Sequence, residues 1–161
     1  MSREKPLIGV VMGSKSDGDV MDGCTDVLKE IRIPCEVRVL SAHRSPDRTR
    51  EYAESAVERG LEVIIAGAGW AAHLAGFIAA LTPLPVIGIP IDSSPLKGID
   101  ALLSTAQMPA GIPVATVAIG KGGAKNAAVL AAQILALKYP AIAGRLKIYR
   151  DKLTQKAIEQ A

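Results

Sequence analysis

Five short apolar runs, each followed by a helix-patterned stretch, constrain this chain of 161 residues more than any other feature. The runs are Leu7–Met12, Cys35–Leu40, Val63–Ala66, Val86–Ile89 and Val114–Ile119. They are β-branched and mostly apolar on both faces, the pattern of strands covered from two sides. Helical spacing follows each one, over about 17–31, 46–59, 71–81, 98–107 and 124–138. Five such βα units make a parallel sheet wound on both faces the natural architecture, because each crossover returns a helix to one side or the other. The length suits one domain over 1–161 with a core that needs no disulfide or metal staple.

A five-stranded sheet of this size fits a flavodoxin-like order better than a classical dinucleotide-binding one. Boundary residues agree with the reading. Ser45-Pro46-Asp47 supplies an N-cap, a proline at the first helical position and an acid in the first turn. Gly60 is a helix stop, and Tyr139-Pro140 ends the fifth helix and starts a sixth, about 140–158. The stretches 73–81 and 127–137 are apolar nearly all round. A helix without a polar face is buried on every side, so either helices meet at the centre of a homo-oligomer or these two are covered within one chain. Ile142, Leu146, Tyr149 and Leu153, at steps of 4, 3 and 4, form a narrow stripe on the sixth helix suited to packing on another element.

Composition removes several classes of function. A net charge of +3 with dispersed Lys and Arg, one Trp, one Phe and three Tyr offers neither a basic footprint nor stacking platforms for nucleic acid. No apolar stretch reaches membrane-spanning length, and no signal-like segment precedes the first strand, so a cytoplasmic setting is expected. Cys24 and Cys35 form no CxxC pair, and two histidines without a cysteine cluster make no structural zinc site.

Chemistry then falls to the loops after the strands, where open α/β sheets bind ligands. The second loop, Ser41-Ala42-His43-Arg44-Ser45-Pro46-Asp47, sets an imidazole and a guanidinium side by side at a strand end. Imidazole moves protons near neutral pH, and a guanidinium is a rigid, permanent anion clamp. A proton-transfer site beside a held anion is the first hypothesis. The first loop reads Met12-Gly13-Ser14-Lys15-Ser16-Asp17. Gly13 allows a tight turn, and Ser14 and Ser16 offer hydroxyls beside free helix N–H groups, which suits a phosphate. Asp17 either caps the helix or accepts a hydrogen bond from a ribose hydroxyl. The third loop, Ala66-Gly67-Ala68-Gly69-Trp70-Ala71-Ala72-His73, has the spacing of a dinucleotide fingerprint but stands on the wrong unit. Its small residues read instead as room for backbone to approach a ligand. His73 falls in the first turn of the next helix, where the dipole favours neutral imidazole, or is simply packed there. Gly120-Lys121-Gly122-Gly123 reads as a mobile or interface loop, and the connection 107–113 as a possible pocket wall.

Taken together, MGSKSD, SAHRSPD and AGAGWAAHLAG, followed by QMPAGIPVATVAIG and NAAVLAAQIL, resemble the bacterial N5-carboxyaminoimidazole ribonucleotide mutases of purine biosynthesis, in order and over nearly the whole chain. The resemblance implies a flavodoxin-like sheet, an octamer of identical subunits and a C-terminal helix lying across a neighbour. It implies a carboxylate moved from the exocyclic nitrogen of an imidazole ribonucleotide to ring carbon C4, through CO2, without metal, nucleotide or organic cofactor. His43 would be the general acid and base. Ser14, Asp17 and Arg44 would bind the ribonucleotide, with Ser41, Ala42, Gly67, Ala68, Gly69, Ala71, Ala72, His73 and Leu74 nearby. Two positions depart from the pattern: Trp70 replaces a compact or aliphatic residue, and Ala75 replaces a proline. Trp70 either covers the pocket or enters a subunit contact. A direct carboxylase of the same fold would carry AGRSN in the third loop. A flavin- or nucleotide-binding protein would bring more aromatic residues, and a relative making another cofactor precursor would bring extra domains.

Overall fold

A computed structural model describes residues 5–160. Five strands alternate with helices: β1 (Ile8–Met12), α1 (Gly18–Glu30), β2 (Cys35–Val39), α2 (Pro46–Glu54), β3 (Val63–Gly69), α3 (Leu74–Ala79), β4 (Val86–Ile91), α4 (Ile99–Ala106), β5 (Ala115–Thr116), α5 (Gly120–Ala136) and α6 (Pro140–Glu159). All pairings are parallel and the order is β2-β1-β3-β4-β5. This is the flavodoxin-like arrangement, with the strand order reversing between β1 and β3.

The apolar runs form strands because both faces are covered. Every residue of β1 and β4 is buried, as are the first five of β3. On one face Val10, Ile65 and Ile89 meet α1 and α5 through Met21, Leu28, Ala128 and Leu135. On the other, Val11, Ile64 and Ala66 meet α2 and α3 through Tyr52, Ala53, Leu74 and Ile78. Truncating a fully buried isoleucine such as Ile65 to Ala costs about 2–5 kcal/mol in such a core.

The edges differ from the sequence expectation. β2 borders solvent, with Val37 and Val39 exposed, so its apolar residues are not covered from two sides. β5 is two residues long rather than the six of Val114–Ile119. It pairs with β4 only at Ile87 and Gly88. Pro90 lies past that point, where β4 has one neighbouring strand and a missing amide donor is tolerated.

α5 resolves the question of the apolar helices in part. Its Ala127, Ala128, Ala131, Ala132 and Leu135 are buried between α1, the sheet and α6 of the same chain. The Ile142–Leu146 end of α6 covers it, and Tyr149 is half-buried. Beyond residue 150 every described α6 residue is exposed, Leu153 and Ile158 included. The corner between the two helices is tied to the start of β3: Lys138 Nζ lies 2.7 Å from Glu62 Oε1, and the Tyr139 hydroxyl donates to the same oxygen. Burial opposes the charge on Glu62, but these two donors outweigh it and hold the carboxyl below its ordinary range. The glycine-rich segment 120–123 is the first turn of α5 rather than a loop, since Gly123 packs directly on the Ala118 carbonyl.

Candidate active site

The carboxyl ends of β1, β2 and β3 meet in one cleft of about 730 Å³ at the reversal of strand order. Gly13, Ser14, Ser16 and Asp17 line it from the first loop, and Ser41, Ala42, His43 and Arg44 from the second. The third loop brings Ala68, Gly69, Trp70, Ala71, Ala72, His73 and Leu74.

In the first loop, Ser14 starts a single 3-10 turn over Lys15–Asp17 with a reciprocal cap. The Ser14 amide donates to Asp17 Oδ2 at 3.0 Å, and the Ser16 amide donates to Ser14 Oγ at 3.3 Å. Asp17 thus caps the turn, one of the two roles its sequence position offers. It is buried, and desolvation raises its carboxyl above the ordinary range despite the Ser14 amide and the nearby Arg44 charge.

The second loop is fixed by its serines. Ser45 Oγ donates to the Ser41 carbonyl at 3.1 Å and accepts from the Ser41 amide at 3.3 Å. That hydroxyl is thus spent on the loop, and α2 starts at Pro46 without the side-chain cap expected of Ser45. Ser41 Oγ accepts from the Arg44 amide at 3.2 Å and from Arg44 Nε at 3.4 Å. Arg44 Nη2 reaches across to the Gly13 carbonyl at 3.3 Å. One guanidinium thereby bridges two loops, its charge held beside the serines of the first.

His43 and His73 touch. Nε2 of His43 lies 2.8 Å from Nδ1 of His73, with the rings edge-to-face at 87°. A bond between two imidazole nitrogens needs one protonated and one bare nitrogen, so each ring constrains the tautomer of the other. His73 is the residue preceding α3, one position before its first turn.

The third loop departs most from the sequence reading. Gly67, Ala68 and Gly69 belong to β3 and pair with Ile89, Pro90 and Ile91 of β4. Gly67, expected among the ligand-proximal positions, lies outside the cleft lining: it is buried, its carbonyl accepts from the Gly13 amide at 3.1 Å, and Met21 Sδ fills the space a side chain would need. Gly69 does line the cleft, and a Cβ there would fall 1.8 Å from Ser93 Oγ. Ser93, after β4, also lines the cleft and was missed, because nothing in Asp92-Ser93-Ser94 stands out from an ordinary polar turn. Trp70 and Ala72 have φ of 55° and 36°, in the left-handed region that costs a non-glycine residue roughly 1–3 kcal/mol. The connection 107–113 does not reach this site: Gly111, Ile112 and Pro113 line a separate hollow with Thr82 and Pro85. Among the described residues, no group of three or more His, Cys, Asp or Glu stands close enough to hold a metal ion, and no helix is long and apolar enough to cross a membrane.

Fold and cleft define a flavodoxin-like α/β protein that can hold an anionic small molecule between a serine-lined helix start and a contacting imidazole pair. More particularly, residues 7–156 match the AIRC family, described as AIR carboxylase, and the chain belongs to that family. It is 56% identical over 161 residues to the N5-carboxyaminoimidazole ribonucleotide mutase of Pyrococcus horikoshii, covering 100% of this chain and 90% of the relative. The mutase of the same name from Pseudomonas aeruginosa is 56% identical over 153 residues, covering 95% and 94%. Among solved structures, Treponema denticola PurE superposes with a TM-score of 0.84 at 33% identity, over 96% of this chain and 95% of that one.

Proposed function

We propose that this protein is an N5-carboxyaminoimidazole ribonucleotide mutase, acting in purine biosynthesis, with the cleft at the β1–β3 reversal as its active site. The reaction moves a carboxylate between two atoms of one substrate. The N–C bond of the carbamate breaks, the exocyclic nitrogen receives a proton, and CO2 is released into the cleft. Ring carbon C4 then attacks that CO2, a C–C bond forms, and the C4 proton leaves to restore the aromatic ring. One proton is given and one collected, so a single acid–base group suffices. His43 carries that proton, since imidazole works in both directions near neutral pH. His73, in contact with it, fixes which ring nitrogen is available.

Ribonucleotide binding falls to Ser14, Ser16, Asp17 and Arg44. The serine hydroxyls and the Arg44 guanidinium receive the phosphate. Retention of CO2 is the harder task, because escape would abort the cycle. Ala68, Gly69, Ala71 and Ala72 supply a small, uncharged wall, and holding reactants together is worth about 7–11 kcal/mol when orientation is right.

The observation that carries the reading is the meeting of His43, His73 and Arg44 with the Ser14–Asp17 turn in one cleft, in a chain whose full-length relatives bear the mutase name. The test is to supply 4-carboxy-5-aminoimidazole ribonucleotide to the purified protein without ATP or added metal. Equilibration with the carbamate, without uptake of labelled CO2 from solution, is expected. Label incorporated at the rate of turnover would identify a direct carboxylase instead.

The working form we propose is a cytoplasmic homo-octamer in which the protruding part of α6 lies on a neighbouring subunit. Exposed Ile148, Leu153 and Ile158 support that placement.

A further inference from the structure

Trp70 is the only tryptophan of the chain, lines the cleft and is 61% exposed. Its φ of 55° is a conformation that glycine adopts freely and a bulky aromatic residue adopts only under constraint. The constraint is visible on both sides. Gly69 is locked against Ser93, and the Ala72 amide closes a turn onto the Gly69 carbonyl at 3.0 Å. This tight turn delivers His73 to His43, leaving Trp70 at its outer corner. An indole therefore stands at a strained backbone position, largely in solvent, at the rim of the cleft, where its neighbours Ala68, Gly69, Ala71 and Ala72 are all small. Burial in this chain's own core does not account for it.

We propose that Trp70 is a ligand-contacting wall of the active site, its indole stacking on the flat heterocycle of the bound ribonucleotide. The inference rests on the function proposed above, because it needs a planar ring placed beside His43. The polar ends of the site favour this pose. Ser14, Ser16 and Arg44 take the phosphate on the first- and second-loop side, so the ring is left facing the third loop. Stacking needs only a π-face, and it would shield the ring and newly released CO2 from bulk water.

A single tryptophan makes the test direct. Binding of 4-carboxy-5-aminoimidazole ribonucleotide is measured by calorimetry, and emission of Trp70 is followed in the same titration. Expected is a saturable change in emission with the calorimetric midpoint. Trp70→Gly should weaken ribonucleotide binding about tenfold, the scale of a lost base–aromatic stack. Trp70→Phe should stay within about threefold of the parent, since it keeps a π-face. Inorganic phosphate should bind Trp70→Gly as tightly as the parent, showing that the rest of the site is intact. The inference is overturned if the ribonucleotide binds with emission unchanged, or if Trp70→Gly binds it as tightly as the parent. Loss of subunit assembly in Trp70→Gly with ribonucleotide affinity retained would likewise overturn it and assign the indole to a subunit contact. If the ribonucleotide does not bind the parent protein, the proposed function falls and this inference falls with it.

Discussion

Three side chains of the proposed active site, His43, Arg44 and Asp17, have separable signatures. His43→Asn keeps a polar group of similar size but cannot relay a proton near neutral pH. Turnover should fall at least 100-fold while ribonucleotide affinity stays within a few-fold, by steady-state assay and calorimetry, which is the scale of a lost general acid–base group. Arg44→Ala should do the opposite in kind: binding should weaken by an order of magnitude or more, because a charge-assisted contact to phosphate is lost. Asp17 offers a pH test. Its carboxyl is raised by burial, so the folded state holds its proton more tightly than the unfolded chain does. A group of that sign costs stability as pH rises from the unfolded value through the folded one, and the cost persists at neutral pH. Asp17→Asn retains an oxygen for the Ser14 amide and removes the charge. Its denaturant midpoint should exceed the parent's at pH 7, and the gap should close as pH falls below the ordinary carboxylate range.

At the level of elements, glycines explain where the sequence could be read and where it could not. The three loops that meet in the cleft were legible because turn chemistry, a histidine and an arginine sat at strand ends. Gly67-Ala68-Gly69 was not, since small residues look like loop when they are in fact strand pressed against Met21 and Ser93. The start of α5 was hidden for the same reason. Glycine lowers helix propensity, but Gly123 is there because the Ala118 carbonyl would lie 1.6 Å from any Cβ. Its neighbour Gly122 has open space around it. Gly123→Ala should therefore cost roughly 1–3 kcal/mol by overpacking, whereas Gly122→Ala should gain up to about 1 kcal/mol. Chemical denaturation of the two variants gives the comparison. Conversely, β5 was read too long because Val114, Thr116, Val117 and Ile119 are β-branched, although only Ala115 and Thr116 have a strand to pair with.

For the whole molecule, an isolated chain leaves Leu96, Ile99 and Leu103 exposed around α4, and Ile148, Leu153 and Ile158 exposed along α6. The proposed assembly would give such residues cover. Removing residues 151–161 deletes no described side chain that is buried. The shortened chain should melt within a few degrees of the parent at the level of the subunit, yet run as a smaller particle in light scattering. An unchanged particle mass would refute the proposed lodging of α6 on a neighbour. The sheet order has a wider implication. Every group assigned to the reaction hangs from three adjacent strands, while the far margin lends the cleft only Ser93. One flank thus carries the proposed chemistry and the other is at liberty, so descendants of such a chain can remodel α4 and β5 to suit new neighbours without renegotiating it.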